Sequence, residues 1–444
     1  MVRVPRLVLK KALIVAGILT VSLGFAYHVA AHPMDFRVYH YGARGVFDGT
    51  RPVYGPASGL GWPMHYRYPP VFLLLFAPFA ALPLGLAAAL WVVLKVATLV
   101  LLLRLMSSPN SPPKLGGVAA PLRKCREATF EGAAGVVSWG TTPPFAKKRA
   151  NGTPPNLGGE LVIPFLFIAP YILEEFRYGN AQFFVLALTI WALLTARERP
   201  VLAAGSLALA ISIKVWPLFF VPYLAVRRDW KVVSYTLGFV AVLALLPSLY
   251  FGLSGNFNLL GQWFTQESHT QLSENEIWFP NQSLRGVLMR YLTTIDYSQV
   301  PDSNYPQMNV AKIDPASVRL LWTILAGAIY AVFLFLAQRR RESDGWLDHG
   351  LAFCLVALLE PFTQKYALAV LLWPALAAAV CMKNPRLRIL MYAATTLVLI
   401  QPLAPSASIQ RLLQVLGLDF AAALLLTAAL TIYTLSPLYC ERDL

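Results

Sequence analysis

The stretch of this chain best able to do chemistry reads Met34-Asp35-Phe36-Arg37-Val38-Tyr39-His40-Tyr41. It begins just beyond an apolar run, so Asp35 stands at a lipid–water boundary, where a carboxylate is costly unless it is paired or at work. A surface ion pair with Arg37 or Arg51 is the plainer account of it. Four more polar segments interrupt or flank apolar ones: Tyr66-Arg67-Tyr68-Pro69-Pro70, Lys214 within Ile213 to Leu218, Asn281-Gln282-Ser283-Leu284-Arg285-Gly286, and Glu360-Pro361-Phe362-Thr363-Gln364-Lys365-Tyr366. One carboxylate, several cations and aromatic platforms suit transfer of a group from a lipid phosphate to a hydroxyl. The acid takes the acceptor proton, and the cations stabilise the departing phosphate. His28, His32, His40, His65, His269 and His349 form no spaced ligand set with acids, so no metal or other cofactor is expected. A phosphate-cradling GxxxxGK[ST] loop is absent as well, which argues against ATP-driven export.

The elements that must hold these residues follow from composition. The 444 residues are 57% hydrophobic and 13% charged, with a mean hydropathy of +0.56. Soluble domains carry about 25% charged residues, so the chain reads as an all-α polytopic membrane protein. Apolar stretches fall at 12–31, 84–106, 161–174, 180–196, 201–226, 231–252, 317–337, 347–360, 365–382, 387–404 and 411–436. The first follows Arg3, Arg6, Lys10 and Lys11, as a signal peptide would, but lacks a small-x-small cleavage site and is kept as a helix.

The stretch 201–226 is flanked by Arg197 and Arg199 at one end and by Arg227, Arg228 and Lys231 at the other. Both ends therefore favour the cytoplasm, and the stretch is broken at Lys214 to Pro217, with Lys214 at the outer face. The count becomes about 12 crossings (11 to 13), with both termini cytoplasmic and 70–82 embedded without crossing. Most of the 37 basic residues then face inward, so the net charge of +15, from 37 basic and 22 acidic residues, is a topology signal and no nucleic-acid partner is expected. Loops at 32–68 and 253–316 lie outside, and a Pro/Gly/Ser-rich insertion at 107–160 lies in the cytoplasm. Lys95 and Asp419, inside apolar spans, are expected to face inward, and Glu174, Glu175 and Arg177 mark another outer turn. Cys125, Cys354, Cys381 and Cys440 form no disulfide framework.

The ordered set Asp-Phe-x-Val-Tyr (35–39), Gly-x-x-Pro-x-Tyr (49–54), Tyr-Pro-Pro (68–70), Gly179-Asn180-Ala181-Gln182, Ile213 to Leu218, Arg227-Arg228-Asp229-Trp230 and Asn281 to Leu284 resembles glycosyltransferase family 87. Those are polyprenol-phosphate-mannose-dependent α-1,2-mannosyltransferases of the GT-C fold. The resemblance implies an inverting hexosyltransferase that moves mannose from a polyprenyl-phosphate donor to a lipid or glycan acceptor, at the outer face of a cell membrane. By it Asp35 is the general base and Lys214 contacts the donor phosphate. Arg37 and Arg285 are further phosphate candidates; Tyr39, Tyr68, Asn281, Gln282 and Gln364 are substrate-binding candidates. Where the family usually carries two histidines, this chain has Gln364 and Lys365, and Lys365 becomes a phosphate candidate.

The rival reading is a transporter or lipid-linked-sugar flippase. It requires charged or broken positions at mid-membrane and some internal repeat, whereas the polar breaks gather on one side and no repeat is found.

Overall fold

A computed structural model describes residues 6–32, 34–60, 64–106, 157–273, 278–294, 307–341 and 345–436. Cys125, Cys440 and all but the last four residues of the 107–160 insertion lie outside them. Among the described residues the regular structure is entirely helical.

Helix α1 (Arg6–Ala31) leads into α2 (Asp35–Phe47), so the first expected outer loop opens on a helix. Next come α3 (Pro70–Ala80), α4 (Leu84–Met106), α5 (Leu157–Tyr178), α6 (Gln182–Thr195) and α7 (Pro200–Ile213). Lys214 ends α7 in extended backbone (φ −139°, ψ 139°). A 3-10 turn (Trp216–Phe219) and α8 (Phe220–Val226) follow, so the break falls where the flanking charges required it. Prolines at 70, 200, 315 and 385 open their helices, where a missing N–H costs nothing and φ is already helical.

Elsewhere the chain departs from the expected spans. The stretch 231–252 is not one helix: α9 (Trp230–Leu245) bends by 96° into α10 (Ser248–Ser273). Pro247, in the bend, has no N–H to continue the ladder, and Gly252 inside α10 is left-handed at φ +72°. The first part of the expected 253–316 loop is therefore helical. After α11 (Leu284–Leu292), α12 (Pro315–Arg339) and α13 (Trp346–Leu359), the stretch 365–382 is a 3-10 segment, the short α14 (Leu372–Ala377) and a second 3-10 segment. Then α15 (Pro385–Ile400) precedes α16 (Ala407–Val415) and α17 (Leu418–Leu435), which are separated at left-handed Gly417 (φ +81°).

Among the described residues four helical segments are long and apolar enough to cross a bilayer, or five if the bent α9–α10 pair is one span. Helices α6, α7 and α13 have 14 residues each, which at 1.5 Å per residue is about 21 Å, short of the ~30 Å hydrocarbon thickness.

These short helices share a polarity. At one end lie their basic turns, tied together: Arg197 donates to the Arg341 carbonyl at 2.9 Å, and Arg227 and Arg340 reach buried Asp348 at 3.4 and 2.7 Å. At the other end lie Gln182, Lys214 and Glu360.

Rings pack α2 onto α3 and α4. Phe36 meets Phe76 at 5.7 Å, Tyr39 meets Phe72 at 5.3 Å and Phe76 meets Trp91 at 5.4 Å, all edge-on, the favoured geometry for aromatic pairs. The α5–α6 turn presses on this corner at Gly179, which is left-handed at φ +64°; a Cβ there would lie 2.7 Å from Phe36 Cβ and 2.8 Å from a Val29 methyl. Gly179→Ala should therefore cost at least the ~1–2 kcal/mol of a left-handed L-residue, read as a lower thermal midpoint in detergent. An unchanged midpoint would refute this tight α1–α2–α5 corner.

Candidate functional site

Asp35 is the first residue of α2, after Met34 in extended backbone. Its Oδ2 accepts a 2.6 Å hydrogen bond from Asn180 Nδ2. Asn180 sits in the turn between α5 and α6, and its Oδ1 accepts from the Gln182 backbone N–H at 2.8 Å and from the Tyr68 hydroxyl at 3.2 Å. Two donors on one atom identify it as the oxygen, which leaves the amide N–H facing the carboxylate. With the Tyr68 hydroxyl hydrogen committed to Asn180, the Tyr39 hydroxyl donates to Tyr68 across 2.5 Å. A buried polar chain thus runs from Tyr39 through Tyr68 and Asn180 to Asp35.

The Tyr66–Tyr68 segment is fixed from α10. Glu267 takes a bidentate pair from Arg67 at 3.1 and 3.0 Å, Trp263 donates to the Arg67 carbonyl and Gln266 to the Tyr66 carbonyl. Part of the stretch expected as loop is therefore a helical brace beside the site.

Lys214 completes the cluster. Its ammonium lies 5.6 Å from the Tyr68 ring centre and 5.3 Å from that of Tyr366, within cation–π range. Burial raises the Asp35 carboxyl above its ordinary value, opposed by the Asn180 hydrogen bond and the Lys214 charge. Burial lowers Lys214 to about 8, opposed by Asp35 and then Glu360. Glu360, in the break after α13, is raised to about 7 by burial, opposed by Lys214. The lysine lies in the field of three carboxylates, Asp35, Glu360 and Glu175.

The other sequence-derived candidates are placed as follows. Arg37 donates to the Ala31 carbonyl at 3.2 Å and to the Tyr41 hydroxyl at 3.4 Å, while Arg51 donates to the Gly59 carbonyl at 2.7 Å. Asp35 is held by an amide, not by either arginine. Asn281 staples two breaks together: its Oδ1 accepts from the Ser283 and Thr363 N–H groups and its Nδ2 donates to the Pro361 carbonyl, all at 3.1 Å. Gln282 donates to the Phe279 and Gln414 carbonyls. The Arg285 guanidinium lies 5.1 Å over the Trp322 ring. Gln364 precedes the 3-10 segment at Lys365–Leu371, and its carbonyl accepts from the Ala367 N–H.

Lys365 reaches Gln401 at 3.3 Å; Gln401 and Tyr171 both donate to Asp419, at 2.8 and 2.9 Å. Lys95 pairs with Glu175. The structure thus gathers Asp35, Tyr39, Tyr68 and Lys214. It adds Asn180, Glu360 and Tyr366, whose segments the sequence marked without giving them these roles.

Two apolar slots reach the Lys214 break. One, of about 570 Å³, runs between α3, α4, α6 and α7; Phe72, Phe76, Trp91, Phe184 and Leu209 line it, and Ala181 and Ile213, neighbours of Asn180 and Lys214, form part of its wall. The other, of about 470 Å³, lies between α8, α12 and α13 and is lined by Val215, Trp216, Trp322, Tyr330 and Glu360.

Helices long enough to span a bilayer, with a half-buried carboxylate and lysine and a buried amide gathered where several helices break, place this chain among multi-pass membrane proteins with a polar centre at the helix ends. Residues 66–361 match the model of glycosyltransferase family 87, and the chain belongs to that family. Asn180, Lys214 and Glu360 lie inside the matched region; Asp35 precedes it. A relative from Mycolicibacterium smegmatis, named polyprenol-phosphate-mannose-dependent alpha-(1-2)-phosphatidylinositol mannoside mannosyltransferase, is 28% identical over 344 residues, 75% of this chain and 64% of its own length. A relative of the same name from Mycobacterium tuberculosis is 28% identical over 240 residues, 51% of this chain and 48% of its own. The chain thus spans about two thirds of the first relative and half of the second. No solved structure matches it.

The geometry fixes how Asp35 titrates. In infrared carboxyl difference spectra of wild type against Asp35→Asn, the Asp35 band should titrate above the ordinary carboxylate range. Asn180→Ala, which deletes a hydrogen bond to the charged form, should move it further up. A band in the ordinary range, or one indifferent to Asn180, would contradict the buried pairing.

Proposed function

We propose that this protein is an inverting membrane glycosyltransferase that moves a hexose, most readily mannose, from a polyprenyl-phosphate donor to a hydroxyl of a lipid or glycan acceptor. The observation that carries the reading is Asp35, oriented by Asn180, beside a desolvated Lys214 in a chain of this family. Asp35 takes the proton of the acceptor hydroxyl as that oxygen bonds to the anomeric carbon. The bond from that carbon to the phosphate oxygen breaks, and its electron pair leaves on the polyprenyl phosphate. Attack on the face opposite the leaving group turns a β-linked donor into an α-linked product. Lys214, half-buried and therefore less screened than in water, offsets the charge gained by the departing phosphate, with the Tyr68 and Tyr366 rings steadying its ammonium. The prenyl chain takes the slot lined by Phe72 and Phe184, which opens beside Lys214 and has no acid in its wall.

The architecture is of the GT-C type, with about 12 crossings. The short helices α6, α7 and α13 count among them, thinned or shielded by their neighbours. The basic turns at Arg197, Arg227 and Arg340 lie in the cytoplasm, which puts Asp35, Lys214 and Glu360 on the extracytoplasmic side and both termini inside. No residue assigned here asks for a metal, so chelation by EDTA leaves transfer unchanged. The transporter reading is weakened because its intramembrane charges are spoken for: Lys95 by Glu175, and Asp419 by Tyr171 and Gln401.

The test is transfer of labelled mannose from polyprenyl-phosphate mannose by purified protein to a mixed pool of lipid and glycan acceptors. Asp35→Asn should lower kcat by at least ~10³-fold with donor binding retained, in line with loss of a general base and its charge. Lys214→Met should weaken the rate ~10²-fold. A folded Asp35→Asn protein with wild-type turnover would refute the assignment. Transfer should also follow a bell in pH. It falls in acid as Asp35 takes up a proton at its raised value, and falls above about 8 as Lys214 loses its charge. A profile flat from pH 5 to 9 would remove both groups from the reaction.

A further inference from the structure

Within the apolar body of the protein, Lys95 of α4 places its ammonium 2.9 Å from both carboxylate oxygens of Glu175 and 3.1 Å from the Glu175 carbonyl. Both side chains are fully buried. Glu175 Oε1 also accepts from the Phe183 N–H at 3.1 Å, at the start of α6. One turn earlier on α4, on the same face, Trp91 Nε1 donates to the Gly179 carbonyl at 2.8 Å. One face of α4 thus grips the α5–α6 turn at Glu175, at Gly179 and, through Glu175, at Phe183. Asn180 lies inside that grip.

Stability alone accounts poorly for such a pair, since apolar residues of similar volume often replace a buried ion pair at no loss. An apolar pair, however, cannot fix a direction, and direction is what Asn180 needs. Its amide must keep the oxygen on Gln182 and Tyr68 and the N–H on Asp35.

We propose that Lys95 and Glu175 are positioning residues for the transfer reaction, holding the Glu175–Phe183 turn so that Asn180 Nδ2 stays on Asp35 Oδ2. This rests on the glycosyltransferase reading for its kinetic consequences, but not for its structural one. The groups that act on Asp35 are Asn180, Lys214, Lys95 and Arg67, with the Tyr39, Tyr68, Tyr178 and Tyr366 hydroxyls nearby. Loosening the turn removes the nearest of them, and neutralising Lys95 removes a cation as well. In the double variant an anion 2.9 Å from that cation is lost with it, so the two fields largely cancel and the rise comes from the loosened turn.

The test uses the full chain in detergent and the double variant Lys95→Met/Glu175→Gln, which leaves no buried charge unpaired. The infrared titration of Asp35 should move up relative to wild type. kcat should fall by roughly 10- to 100-fold, the scale of a small misplacement of a catalytic group, while the donor KM stays put. Lys95→Arg, which keeps the charge and the pairing, should restore both. A double variant with wild-type titration and kcat would overturn the proposal.

Should the double variant fail to fold, Trp91→Phe removes the tie to Gly179 while keeping a ring against Phe36 and Phe76, and should move the titration the same way by less; an unmoved band there also overturns it. If wild type transfers no mannose, the functional reading fails, and the infrared titration still decides the positioning role.

Discussion

The hydrogen bond from Asn180 to Asp35 is the contact on which the rest of the site depends. A half-buried carboxylate has lost part of its water, and loss of water favours the neutral acid. Asn180 supplies one strong donor in place of that water, and Lys214 supplies a field. Neither is free to choose its place. Asn180 is tied by Tyr68 and by its own turn, Tyr68 is tied by Tyr39, and the Tyr66–Tyr68 segment is held through the Arg67–Glu267 pair and by Trp263. Four segments far apart in sequence thus set the geometry of a single carboxyl group.

Broken helices are what allow such a centre to exist. A continuous helix satisfies its own backbone and offers a lipid-facing or core-facing surface, but no turn. Here the polar residues sit where helices stop: Asp35 after α1, Asn180 between α5 and α6, Lys214 after α7, Glu360 after α13. The freed backbone groups are met locally. The Asn281 side chain, for example, bonds the backbone of residues 283, 361 and 363, closing the break after α13 onto the turn before α11.

Much of this was legible from the residues. Asp35 stood out because a carboxylate beside a membrane boundary needs a reason, and the break at Lys214 followed from basic residues at both ends of one apolar stretch. The partner of Asp35 was not legible. Charge arithmetic pointed to Arg37 and Arg51, neighbours in sequence, whereas the partner lies 145 residues away and is neutral. The Gly179-Asn180 pair carried a hint, since glycine followed by a polar amide marks a tight turn between two apolar helices. Which way that amide faces is a tertiary fact. Likewise Lys95 and Asp419 were correctly inward, but their partners, Glu175 and the Tyr171–Gln401 pair, depend on how helices pack. The bend at Pro247, read through as a continuous span, shows the opposite failure: apolar composition carried across a residue that cannot extend the helix.

Lys214 shows what partial desolvation does to a cation among carboxylates. In water an ammonium answers a new anion weakly, because solvent has already answered it. Between the Tyr68 and Tyr366 rings its hydration is replaced by π faces, which hold a cation loosely and leave it responsive. Asp35 and Glu360 keep it protonated against the pull of burial, and each carboxyl is in turn eased by the lysine. Any further anion brought into that field would make the ammonium bind its proton more firmly as negative charge accumulates beside it. That coupling follows from the partial desolvation of three groups together, not from any one of them alone.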